Sequence, residues 1–297
     1  MADDALTIVT GASENHARAL RHLLESLDRY EPKTRVVAYD LGLAPRTARK
    51  LRRQGRHLLP FRFEDYPEHV DRQRLKTYAW KPAMVHEVLL EHGLPLLYLD
   101  AGDLVHERLD GVRAEMARVG FYSSCTDGTI AKWCHPLTIP ALAIEPDILE
   151  ARNRNGAVIG FADTPMARAL AVAWYELSMR PEVICPPGSS RSNHRFDQTV
   201  LSVLLARAIR DHRLEPGNGR FGISLRNDAL SDGAARHYMQ CSPAIRREIA
   251  LQDYVEPPPP LSHRLRDVVT HAWRQARRTW RRARRARRKR AAGSDRG

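Results

Sequence analysis

Asp100 and Asp103 close the apolar run Leu96-Leu97-Tyr98-Leu99, so a short strand delivers two carboxylates, three residues apart, at its C-terminal end. Carboxylate oxygens are hard donors suited to Mn2+ or Mg2+, and an ion held there neutralises charge that builds on a departing diphosphate. Gly102 is expected to keep the turn open so that both acids face one ion. A plain strand-end turn, in which Asp and Gly serve local hydrogen bonds, accounts for the same residues.

The elements that must position these acids are an alternation of strands and helices. Leu6–Thr10 is a β-branched apolar run, followed by Ala17, Leu20, Leu23, Leu24 and Leu27 at helical spacing and by a second strand, Arg35–Tyr39, that ends at Asp40. A helix over Pro45–Arg53, a strand over Leu58–Phe63, a helix from Pro82 to Glu91 and the strand Leu96–Leu99 continue the pattern of a parallel sheet covered on both faces. Beyond Asp103 the periodicity loosens. A helix around Val112–Val119, strands at Phe121–Ser123 and Ala157–Phe161, and helices at Pro165–Ser178 and Asp197–Ile209 are expected there. Gly217, Gly219 and Gly222 mark a loop; no strand precedes them, so they do not form a phosphate-binding loop.

Charge divides the 297-residue chain. Residues 261–297 hold fourteen Lys/Arg against Asp267 and Asp295, a net of +12 out of +13, which leaves +1 for residues 1–260. A nearly neutral body argues against a nucleic-acid-binding fold, in which basic residues spread over the folded surface. The expected organisation is a domain over residues 1–255, a Pro-rich linker at 256–260 and a basic tail at 261–297. In the tail, Leu265, Val269, Trp273, Ala276, Trp280 and Ala283 recur at helical spacing among arginines. That pattern suits a basic amphipathic helix lying on an anionic membrane surface through residues 261–290; a disordered polycation is the alternative. No apolar run is long enough to span a bilayer, and the N-terminus lacks the basic start and apolar core of a signal peptide, so the expected location is cytoplasmic, peripheral on the inner face of the cell membrane. Cys125, Cys134, Cys185 and Cys241 show no Cys-x-x-Cys pair and read as reduced thiols.

Acids that follow about a hundred residues of β/α alternation, the segment Tyr78-Ala79-Trp80-Lys81-Pro82 before them and the pair Asp197-Gln198 after them together resemble nucleotide-sugar glycosyltransferases of the single-sheet, GT-A-like fold, distantly family 8. The resemblance spans roughly residues 6–210. It implies a mixed, mostly parallel Rossmann-like α/β sheet flanked by helices, a donor expected to be a UDP-sugar, a glycan or lipid-linked acceptor, and Mn2+ or Mg2+ at Asp100 and Asp103. The family's acids are spaced Asp-x-Asp; here the spacing is Asp-x-x-Asp, which makes Asp103 the expected direct ligand and Asp100 a supporting one.

The resemblance also implies roles elsewhere. Thr10, Gly11 and Ala12 would line the nucleoside site, and Asp40 would accept from a base imide or ribose hydroxyl, unless it is a turn acid before Gly42. Lys81 would put positive charge on the diphosphate, unless it is a solvated lysine. In Asn193-His194-Arg195-Phe196-Asp197-Gln198, Asp197 would contact the donor sugar or act as base, Gln198 would lie near the anomeric carbon, and His194 or Arg195 would meet phosphate. A helix cap is the competing account of Asp197; His135, in Trp133-Cys134-His135-Pro136, would bind acceptor unless it is structural.

Two other classes remain open. Thr10-Gly11-Ala12-Ser13 begins like the dinucleotide loop of an NAD(P)-dependent oxidoreductase, although the later glycines are replaced by Glu14-Asn15-His16-Ala17. A non-catalytic transferase-like fold binding polyanions through its Arg-rich tail is the other.

Overall fold

The apolar runs of the first hundred residues become neighbouring parallel strands. The structure, a computed structural model, describes residues 6–225. In chain order its elements are β1 (Thr7–Ala12), α1 (Ala17–Tyr30), β2 (Arg35–Asp40), α2 (Pro45–Arg53), β3 (Leu58–Pro60), α3 (Trp80–His92), β4 (Leu96–Leu99), β5 (Leu104–Val105), α4 (Asp110–Val119), β6 (Phe121–Tyr122) and β7 (Cys125–Thr129). There follow α5 (Ile130–Trp133), α6 (Thr138–Ala141), α7 (Pro146–Glu150), β8 (Arg152–Arg154), β9 (Val158–Phe161), α8 (Pro165–Ser178), α9 (Pro181–Ile184), α10 (Asp197–His212) and β10 (Ile223–Ser224).

The central sheet runs β3-β2-β1-β4-β9-β6. β1 pairs in parallel with β2 and β4, and β2 with β3, whereas β9 is antiparallel to both β4 and β6. This is the mixed, mostly parallel sheet flanked by helices that the resemblance implies. Every residue of β1, β4 and β9 is buried, as expected of strands covered on both faces. Alternate residues serve opposite layers. Val9, Tyr98 and Ile159 join Val88 of α3, Trp174 of α8 and Leu201 of α10, while Ile8, Leu97, Leu99 and Val158 join Leu23 and Leu27 of α1 and Met116 of α4.

Local chemistry explains where elements stop. Pro60 has no N–H for the ladder, so β3 ends there rather than running to Phe63 as expected, and Phe63–Asp65 is a 3-10 turn. α3 starts two residues earlier than Pro82 because a proline in the first turn forfeits no intrahelical bond. Gly120, at φ +93°, ends α4 with its N–H on Met116 O. Thr164 caps α8 by accepting from the Ala167 N–H.

Because β9 is reversed, the chain entering it at Asn155-Gly156-Ala157 reaches the same sheet edge at which β4 ends. The Ala157 carbonyl accepts the Asp100 N–H (2.8 Å), and the Asn155 N–H donates to Ser124 O (2.8 Å) just beyond β6. Such an edge is where open α/β sheets bind ligands.

The boundary at residue 255, the linker 256–260, the basic helix over 261–297 and Cys241 lie outside the described residues. Cys125 and Cys134 are free thiols. Among the described residues, no helix is long and apolar enough to cross a membrane.

Candidate active site

The turn after β4 treats its two acids differently. The Asp103 N–H donates to Asp100 O (2.9 Å), and Asp103 Oδ2 accepts from the Asp100 N–H (3.0 Å), so the turn closes on itself. Asp103 is 1% exposed. Asp100 is the open acid, its side chain 36% exposed: Oδ1 accepts from the Tyr98 hydroxyl (2.7 Å) and lies 2.8 Å from Lys81 Nζ. Its Oδ2 makes no hydrogen bond among the described residues. The ranking that the spacing suggested, Asp103 direct and Asp100 supporting, is thus reversed in accessibility.

Lys81 is not solvated. It stands at the second position of α3, fully enclosed, and its Nζ donates to Gly156 O (3.0 Å) as well as pairing with Asp100. The rings of Tyr78, Tyr98 and Trp80 lie 5.1, 5.4 and 5.8 Å from Nζ, within cation–π range. Burial opposes its charge, but Asp100 and Asp197 outweigh it and raise the Lys81 pKa above the ordinary value.

Asp197 opens α10 and is 2% exposed, with Oδ2 buried and without a hydrogen-bond partner. Its side chain therefore caps nothing at that atom. Burial pushes its pKa up to about 7; Lys81 holds it down and Asp100 adds to the rise. The backbone is pinned by Trp174, whose Nε1 donates to Asp197 O (3.0 Å). Gln198 is fixed by its Nε2, which donates to Arg154 O (2.7 Å). Gly156 makes room for both: a Cβ there would stand 3.0 Å from Gln198 Cβ and 3.5 Å from Asp197 Oδ2.

Two aromatic residues in left-handed backbone lead into this cluster. Tyr78 (φ +55°) precedes α3 and Phe196 (φ +50°) precedes α10, with ring centroids 6.3 Å apart. Such conformations cost about 1–3 kcal/mol each and persist only where the surroundings over-determine them. Here the Lys81 N–H on Tyr78 O and the Arg195 N–H on Trp133 O supply part of that constraint.

The other predicted positions divide. Thr10 is buried in β1 with its Oγ1 unpartnered, and Ala12 is core. Gly11 is a packing glycine, since a Cβ would meet Met84 Sδ of α3 at 2.9 Å. Its missing side chain is thus accounted for by the approach of α3 to β1 rather than by a ligand. Asp40 is a turn acid, its Oδ1 accepting from Gly42 N–H (2.9 Å) and Leu43 N–H (2.6 Å). The Arg195 guanidinium stacks 3.9 Å over the Trp133 ring.

His194 does not reach a phosphate. It is fully buried, Nδ1 accepts from the His135 N–H (3.1 Å) and Nε2 lies 3.0 Å from Ile184 O, so both ring nitrogens hold backbone. Burial lowers its pKa to about 4, and it stays neutral. His135 is structural too, its Nδ1 accepting from the Leu137 N–H (3.2 Å). Tyr98, Gly156 and Arg154 belong to the site without having been picked out; the polar run Arg152-Asn153-Arg154-Asn155-Gly156 directly before an apolar strand is the signal that marks the last two.

The structure therefore brings Lys81, Asp100, Asp197 and Gln198 together around Gly156, with Asp103 in the adjoining turn. Hard oxygen donors at Asp100 and Asp103, one oxygen of Asp100 being open, fit a divalent cation whose remaining ligands come from phosphate and water. Among the described residues, no group of three or more His, Cys, Asp or Glu side chains forms a complete protein cage.

Residues 2–86 match a family described as proteins of unknown function, DUF1647. No curated protein matches the chain. Among solved structures, it is similar to the galactosyltransferase LgtC in complex with donor and acceptor sugar analogues, at 15% identity over 86% of this chain and 98% of that one, TM-score 0.43. It is similar also to an active-site mutant of LgtC, at 16% identity over the same shares of the two chains, TM-score 0.40.

Proposed function

We propose that the protein is a glycosyltransferase that moves a sugar from a nucleoside diphosphate donor, expected to be a UDP-sugar, to a glycan or lipid-linked acceptor. One observation carries this reading: an enclosed ammonium, Lys81, stands between an open carboxylate, Asp100, and a buried carboxyl, Asp197, at the ligand-binding edge of the sheet.

Each group has a task in that reaction. The acceptor oxygen bonds to the anomeric carbon, and the carbon–oxygen bond to the diphosphate breaks with its electron pair on the leaving group. Lys81 offsets the charge that gathers there, and in an enclosed site it does so with little reorganisation. Asp197, with a proton affinity near neutrality, takes the acceptor's proton. Gln198, immobilised by the Arg154 carbonyl, presents its Oε1 to the sugar. Mn2+ or Mg2+ held by Asp100 and Asp103 would supply further charge neutralisation at the diphosphate. Cytoplasmic location and attachment to an anionic membrane through residues 261–290 complete the proposal.

Thermal shift of the full chain with UDP and a panel of UDP-sugars, with and without Mn2+, tests it. The expected result is a Mn2+-dependent rise in Tm with UDP, lost in Asp100→Ala. Absence of a shift with every sugar nucleotide, with and without metal, overturns it.

A further inference from the structure

Arg154 is a buried cation that, among the described residues, has no carboxylate at ion-pair distance. It ends β8 and is 8% exposed. Its Nη1 donates to Ser123 O (2.9 Å). Burial opposes its charge, as does Arg152, two residues earlier on the same strand; Cys125, its register partner on β7, and Glu115 favour it, and neither is bonded to it. Glu115, the acid on that side, is already engaged by Arg118 and by the Gly217 N–H.

Other inward cations among the described residues are compensated. Lys81 has Asp100, and Arg113 has the buried Glu31. One carbonyl satisfies one of a guanidinium's five N–H groups. Desolvating the remainder without an anion is costly enough that such groups are ordinarily paired. The surroundings of Arg154 are those of a site: its own carbonyl holds Gln198, Gly156 two residues on holds Lys81, and Ser124 next to its hydrogen-bond partner lies 3.5 Å from a second guanidinium, that of Arg220.

We infer that Arg154 is the counter-ion for an oxyanion on the substrate, a carboxylate or phosphate carried by the transferred sugar or by the acceptor. A planar guanidinium with its free edge unbonded is suited to bidentate capture of such a group. The inference rests on the transferase reading and narrows it to anionic substrates.

The test is calorimetric titration of the full chain with Mn2+. The donor arm compares UDP-glucuronate with UDP-glucose, and the acceptor arm compares glucose 6-phosphate with glucose in the presence of UDP. We expect one anionic probe to bind at least about tenfold tighter than its neutral counterpart, the arm identifying which substrate carries the charge, and the ratio to collapse toward one in Arg154→Met. We also expect Arg154→Met to raise the Tm of the unliganded protein, because it removes an uncompensated buried charge. UDP binding without an anionic preference in either arm, or a preference that survives in Arg154→Met, overturns this inference alone. A fall in Tm for Arg154→Met that Arg154→Lys restores marks a structural clamp on Ser123 and overturns it as well. Failure of UDP and every sugar nucleotide to bind takes down the transferase reading and this inference with it.

Discussion

Lys81 Nζ lies 2.8 Å from Asp100 Oδ1, and the two residues come from different elements, the first turn of α3 and the end of β4. The pair ties the helix layer to the ligand edge of the sheet and leaves Asp100 with one oxygen open. Lys81→Met is expected to strand the Asp100 and Asp197 charges. Breaking a buried pair costs about 3–5 kcal/mol, and the exposure of Asp100 places this one at the lower end. Denaturant unfolding measures it. In a double-mutant cycle with Asp100→Asn, the second substitution recovers part of the loss; strict additivity contradicts the pairing.

Asp197 imposes a pH dependence whose sign is fixed. Its folded pKa of about 7 stands above the ordinary 3.8, so its stability contribution is full below about pH 4 and is lost as pH rises through about 7. Asp197→Asn is expected to flatten that decline in Tm across the interval. Sugar transfer in the unsubstituted protein is expected to rise with pH through an apparent pKa near 7, since the base must be deprotonated. A transfer rate independent of pH between about 5 and 8 contradicts that role.

His194 acts in the opposite direction. With a folded pKa of about 4 against an ordinary 6.5, its contribution is full above about pH 6.5 and is lost as pH falls through about 4. His194→Gln keeps a donor for Ile184 O and removes the acceptor from the His135 N–H. About 1–3 kcal/mol of destabilisation is expected, together with a shallower acid limb in the pH–Tm curve.

Gly156→Ala places a methyl group 3.0 Å from Gln198 Cβ. The first turn of α10 must yield by a few tenths of an ångström, which displaces Gln198 and Asp197 together. The expected signature is a fold that stays intact by circular dichroism while transfer falls by about one to two orders of magnitude, because small misplacements of reacting groups are expensive. A variant with unchanged kcat shows that the tight contact has no bearing on the chemistry.

Much of this is legible in the amino-acid sequence. β1 and β4 are buried on both faces, so they read as apolar runs, and the alternation of β1, β2 and β4 with helices along the chain announces a parallel sheet. Lys81, Asp100, Asp197 and Gln198 stand out because charged or polar side chains at the end of an apolar element are conspicuous. Direction is not: Val158–Phe161 reads identically as a parallel or an antiparallel strand, and only the reversal brings Gly156 to the site. The short helices α5, α6 and α7 have too few residues to show a period, and the β7–β8 pairing is irregular in register. His194 misleads because a histidine in a polar cluster looks the same whether its nitrogens face a ligand or backbone carbonyls. Asp40 reads two ways for the same reason, since an acid that closes a turn and one that meets a ribose occupy the same place in a sequence.

The reversed strand β9 has a consequence for how this protein could change its partners over evolution. Residues 124–155 depart from and return to the sheet at neighbouring points, where the Asn155 N–H meets Ser124 O. A segment whose two ends already touch behaves as a cassette: its length and composition can drift, or be exchanged wholesale, at little loop-closure cost to the scaffold. Trading that cassette between relatives is therefore expected to reset what surrounds Gln198, which the Arg154 carbonyl holds, while Lys81 and Asp100, which lie outside it, stay in register.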